Sequence, residues 1–220
     1  MVPTEKARPV TETSRLLLGL ALLISALDWI AVARKARALE YVCKPAAALA
    51  FLGTAIALDP AANAARVWCC IALGMCVLGD IFLMQRRDAF VAGLAAFAFA
   101  QIFFAVSFAF QTPTLSRLVL GLIVTCPCVV LLARRYLRAL VAGGRSALVQ
   151  PVTFYMTVIA AMVVSGITGG SGFGITGAVL FLASDSLIAE ERFVEERAWQ
   201  PVAIMVTYHL ALTGLVIGLI

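Results

Sequence analysis

Charge is scarce in this chain: 13% of its 220 residues are Asp, Glu, Lys or Arg, while 63% are hydrophobic and the mean hydropathy is +1.02. Soluble domains carry about 25% charged and about 45–50% apolar residues. A soluble fold is therefore excluded, and the chain reads as an integral membrane protein. Histidine is reduced to a single residue, His209, so a three-His metal site cannot form. No CxxC pair joins the six cysteines, which all lie in or beside apolar segments and read as small packing residues rather than a zinc set or a disulfide framework. The GxSxG elbow of serine hydrolases is missing too. No metal and no cofactor are expected. The net charge of +5 is carried in short basic clusters between apolar runs, a pattern that sets membrane topology and does not suggest nucleic acid.

What is present is a series of long apolar runs. With about 20 apolar residues needed per span, the sequence predicts eight transmembrane helices at 16–33, 41–58, 66–85, 89–111, 117–133, 150–168, 172–189 and 201–220. The expected organisation is an all-α bundle over 16–220 behind a polar N-terminal tail at 1–15. The first run ends in Ala31-Val32-Ala33, which resembles a signal-peptide cleavage site, but it is longer than a usual h-region of about 7–15 residues. It reads as the first span. Gly172-Phe173-Gly174-Ile175-Thr176-Gly177 matches GxGxxG, yet no strand precedes it and it opens a membrane helix, so it is not a nucleotide loop.

Basic residues fix an expected orientation. The connections after spans one, three, five and seven, with the ends of the helices beside them, hold twelve of the seventeen: Arg34, Lys35, Arg37, Lys44, Arg86, Arg87, Arg134, Arg135, Arg138, Arg145, Arg192 and Arg197. By the positive-inside rule those connections face the cytoplasm and both termini lie on the other side.

Against this apolar background, ionisable residues inside spans stand out. Asp80, in Leu78-Gly79-Asp80-Ile81-Phe82-Leu83-Met84, and Asp185, in Phe181-Leu182-Ala183-Ser184-Asp185-Ser186-Leu187, are acids at a depth where burial is costly. Asp28, Lys44 and His209 complete the strongly polar set. Helical rise places the first four within about 5–8 Å of the cytoplasmic boundary and His209 one to two turns deeper, as one polar cavity on that side would require. Two carboxylates in a poorly solvated cavity can divide acid and base roles between them; the alternative is that they are structural partners of Lys44 and Arg residues. Lys44, before Pro45 at the expected opening of span two, is a phosphate ligand or a topology flank. Asp28 beside Trp29 is a supporting group or a snorkelling interfacial acid. Ser184 and Tyr208 are further supporting candidates. The aromatic series from Phe97 to Phe110 reads as packing, with some rings available to line an acyl-chain groove.

The chain resembles the YhhN/TMEM86 family of membrane proteins. The resemblance rests on Lys44-Pro45, on Gly79-Asp80 followed by Leu83-Met84, and on Phe90-Val91-Ala92-Gly93 with the aromatic helix bearing Gln101. It continues in Gly177-Ala178-Val179-Leu180-Phe181 leading to Ser184-Asp185-Ser186-Leu187, and in Tyr208-His209. One departure is Gln101, where a His-bearing variant is expected in many relatives. Membership implies a lysoplasmalogenase, a hydrolase that cleaves the vinyl ether bond of a lysophospholipid to a fatty aldehyde and a glycerophospho-base. It implies Asp80 and Asp185 as the acid and base, with Lys44, Tyr208, His209, Ser184 and Asp28 in support. The expected partners are the lysophospholipid and the bilayer, in a bacterium the inner membrane. The competing reading is a small transporter or proton-coupled carrier using the same acids as relay sites.

Overall fold

The computed structural model describes residues 10–60, 62–85 and 89–220. The tail expected at 1–15 lies, for its first nine positions, outside the described residues, as do Arg86 and Arg87 of the charge count. Eight helices follow: α1 (Glu12–Ala33), α2 (Arg37–Ala57), α3 (Asn63–Met84), α4 (Phe90–Ala109), α5 (Leu115–Ala142), α6 (Val149–Gly169), α7 (Gly172–Phe193) and α8 (Gln200–Ile217). All eight are long and apolar enough to cross a bilayer, and this is an all-α multi-pass membrane protein. Lipid offers the backbone no hydrogen-bond partner, so each span satisfies itself as a helix.

Helices run past the expected boundaries where charged residues interrupt the apolar runs. Polar side chains end the lipid-embedded portion of a helix, not the helix. Thus α5 runs on through Arg134, Arg135 and Arg138 for 28 residues, about 42 Å against a hydrocarbon core of about 30 Å. Likewise α7 continues past Ala189 to Phe193, where Arg145 donates to the carbonyls of Arg192 and Phe193 and closes the helix end. Helix α2 begins at Arg37, so Pro45 is interior and does not open the helix. Lys44 consequently sits about 10 Å along a formed helix.

Consecutive helices pack as antiparallel pairs, α1 with α2, α3 with α4, α5 with α6 and α7 with α8. The pairs join through α2 on α3, α4 on α6, α6 on α7 and α1 on α8, while α5 lies outside against α6 and α7. Helices α4 and α8 are the most deeply enclosed. Between them an aromatic knot fills the centre: Phe97 and Phe181 each meet Tyr208 edge-on, and Phe104 meets Phe181 the same way. This is the favoured geometry for ring quadrupoles.

Glycine sets how closely α7 and α8 approach. A Cβ on Gly177 would stand 2.6 Å from the Leu215 nitrogen, and one on Gly218 would stand 2.7 Å from the Gly174 Cα. Small residues let membrane helices meet backbone to backbone, which is how such pairs are held without a hydrophobic driving force. The GxGxxG look-alike therefore has a packing role: Gly177 faces α8, Gly174 turns toward the Phe108 ring of α4 while Gly218 closes on its backbone, and Ser171 caps α7 by accepting from the Gly174 N–H.

Candidate functional site

Asp80 lies four residues from the end of α3 and is 3% exposed. Its neighbour Gly79 makes room for α4: a Cβ there would meet the Phe97 ring at 2.6 Å. The Tyr208 hydroxyl, from α8, donates to Asp80 Oδ2 at 2.9 Å. A phenol buried in an apolar helix needs such a partner, and an intramembrane acid needs a donor.

Asp185, from α7, is held by a different pair. The Tyr155 hydroxyl donates to its Oδ2 at 2.6 Å and Gln101 Nε2 at 2.9 Å, while the same Gln101 amide donates to the Tyr155 oxygen at 2.6 Å. Three helices, α4, α6 and α7, thus meet at one carboxylate. Its Oδ1 accepts no hydrogen bond from the described residues. Sequence reasoning missed Tyr155 altogether and left Gln101 without a role. The available signal was a phenol and an amide within apolar spans, each requiring a buried partner.

Both acids line one cavity of about 520 Å³, with Tyr208 and Ser184 also on its wall. Its size is that of a small-molecule site, about 300–1,000 Å³. The rim is charged, with Lys44 and Glu40 from α2 and Glu191 and Arg192 from α7, and it lies at the end of the bundle that carries the α1–α2 and α7–α8 connections. Lys44 pairs with Glu40 at 3.2 Å. No hydrogen bond joins Asp80 to Asp185, so the two do not share a proton directly; each answers to its own tyrosine across the cavity. Helix α7 runs on to Phe193, so Asp185 sits eight residues from its helix end, about 12 Å, with the charged Glu190, Glu191 and Arg192 in the last turn between it and that end.

Asp28 and His209 sit elsewhere. Asp28 is 0% exposed and neither of its oxygens has a hydrogen-bond partner among the described residues, so it is not a snorkelling surface acid. His209 accepts from Trp29 Nε1 at 3.0 Å through Nδ1, and its Nε2 is buried without a partner among the described residues. Neither is on the cavity wall. Ser184 donates to the Ile204 carbonyl at 3.1 Å, which ties α7 to α8 and leaves no base beside its oxygen. Among the described residues no cluster of His, Cys, Asp and Glu suits a metal ion.

The order of these residues along the chain matches a known pattern, and the YhhN family profile aligns with residues 39–219. The chain belongs to the YhhN family. It is also 32% identical over 140 residues to lysoplasmalogenase TMEM86B of Homo sapiens, an alignment that covers 64% of this chain and 58% of that protein. The matched part is thus less than two thirds of the human protein's length. No solved structure matches the chain. The family match takes in Asp80, Asp185, Tyr155, Tyr208 and Gln101, and every residue of the cavity wall except Val32.

Proposed function

We propose that this YhhN protein is a membrane lysoplasmalogenase that hydrolyses the vinyl ether of single-chain ether phospholipids bearing ethanolamine or choline. The observation that carries the reading is two carboxylates from α3 and α7 on one cavity, each with its own phenol donor, beneath a charged rim. That arrangement suits a substrate with a phosphate at one end and hydrocarbon at the other. The name of the human relative supports the same reaction.

The chemistry needs an acid and a base. Protonation of the vinyl β-carbon gives an oxocarbenium ion; water adds at the α-carbon, and the resulting hemiacetal collapses to a fatty aldehyde and the glycerophospho alcohol. One water is consumed, and the proton lent at the start returns when water is deprotonated. We assign the proton donor to Asp80, the more deeply buried acid with one hydrogen-bond donor. Asp185, whose Oδ2 accepts from two donors, takes the role of the base that orients water. Each such role contributes about 10²–10⁴-fold in rate. Lys44, on the rim, takes the role of phosphate ligand, and the rim end of the bundle is assigned to the cytoplasm by the positive-inside rule.

Purified protein incubated with lysoplasmalogen should release aldehyde, and Asp80→Asn and Asp185→Asn should each lower that release by about 10²–10⁴-fold while inserting and unfolding like the parent. Full activity in both variants would overturn the proposal. A panel of ester and ether lysolipids, read by mass spectrometry, identifies the bond cleaved.

A further inference from the structure

Two smaller cavities adjoin the acid site. One, of about 40 Å³, shares Leu83, Phe90, Phe97 and Asp185 with the main cavity and continues past Leu94 to Tyr155. The next, of about 110 Å³, takes over at Leu94 and Tyr155 and runs between α4 and α6. Its walls are hydrocarbon and aromatic: Ala95, Ala98 and Phe99 on one side, Pro151 and Phe154 on the other. Phe99 and Phe154 are 53% and 59% exposed on the outer surface of the bundle, the surface that faces lipid. From Val91 to Ile102 the crevice follows α4 for about 16 Å.

We propose that this α4–α6 crevice holds the hydrocarbon chain of the substrate and is its lateral route from the bilayer. The inference rests on the lysoplasmalogenase reading above and adds where the chain goes. The reacting double bond is the first carbon pair of that chain. With those carbons between Asp80 and Asp185, the rest of the chain must leave by an apolar path that starts at the acids. The line of shared walls through Phe97, Leu94 and Tyr155 is such a path, while the charged rim receives the headgroup. The occupant is a single chain, because the lysolipid of the reading above carries only one. Tyr155 has a dual position: its hydroxyl serves Asp185 and its ring forms part of the crevice wall.

Chain selectivity follows from crevice length. Ala95 is exposed and so accepts a larger side chain without disturbing the fold. Ala95→Trp should lower kcat/KM for a long alkenyl chain by about tenfold or more, a difference of a few methylene contacts, and leave a short chain unchanged. Ile123→Trp, on the exposed outer face of α5, is the control and should change neither. A loss independent of chain length, or no loss, overturns the assignment. A second readout does not depend on turnover. A lysolipid with a photoreactive group at the chain end should label the segments around Phe99, Ile102 and Phe154, in competition with unlabelled lysolipid. Label on the outer face of α5 instead, or crevice label from a diacyl probe that lysolipid cannot displace, overturns it. Crevice labelling with no aldehyde from any lysolipid would retain the chain site and remove the hydrolase reading, so the two fail separately.

Discussion

Removing one hydroxyl tests the site more finely than removing a carboxylate. In Tyr155→Phe the ring stays in place while Asp185 loses its 2.6 Å donor, and Gln101, whose amide also served that oxygen at 2.6 Å, loses an acceptor. Gln101 still reaches Asp185 at 2.9 Å, so the carboxylate keeps one of its two donors. A hydrogen bond to a charged group contributes about 1.5–3 kcal/mol. At about 1.4 kcal/mol per tenfold, the variant should lose roughly 10- to 100-fold in kcat/KM for aldehyde release. Gln101→Leu should fall in the same range, and the double variant should depart from additivity by about 0.5–3 kcal/mol because the three groups act as one network. Thermal unfolding in the same detergent separates lost catalysis from lost fold. Should Tyr155→Phe stay within about twofold of the parent at equal stability, the Asp185 network is structural and the base assignment is wrong.

Tyr208→Phe, at the other acid, should reduce turnover by a comparable factor with little change in KM, measured on the same lysolipid; a change confined to KM would place Tyr208 in binding. Lys44→Met should raise KM about tenfold or more for a phosphate-bearing substrate with kcat nearly kept, since the ammonium meets a part of the lipid that does not react; an unchanged KM would return Lys44 to a topology role. Gly177→Ala should cost about 1–3 kcal/mol through its clash with the Leu215 and Ala211 backbone. Gly74→Ala, where nothing lies within 4 Å, should instead gain up to about 1 kcal/mol of helix propensity. Chemical or thermal denaturation distinguishes the two signs.

The helices were readable because lipid permits so few alternatives: an apolar run of span length has one way to satisfy its backbone. Their ends were less so. Hydropathy falls at Arg134 and Arg135 although arginine is a good helix former and nothing there stops α5, and Lys44-Pro45 reads as a helix start until Arg37 to Cys43 are seen already helical. Asp80 and Asp185 could be singled out as costly exceptions to hydropathy, and the structure sets both on one cavity. Their partners could not, because which way a helix is rotated about its axis decides whether Tyr155 meets lipid or Asp185, and that rotation depends on contacts made by three other helices. The same ambiguity hid the enclosure of Asp28 and the union of His209 with Trp29, two residues 180 positions apart.

The glycine contact between α7 and α8 has a mechanical consequence. It clamps the two helices at one end, where Gly174 meets Gly218, while the other end of α7 carries Asp185 and the rim of the cavity. The acid lies about 12 Å along α7 from this clamp, the rise of the eight residues from Gly177 to Asp185, and Ser184 fastens the pair a second time beside it by donating to the Ile204 carbonyl. With a fastening at both levels, the two helices make one stiff wall that sets the spacing of Asp185 and Tyr208.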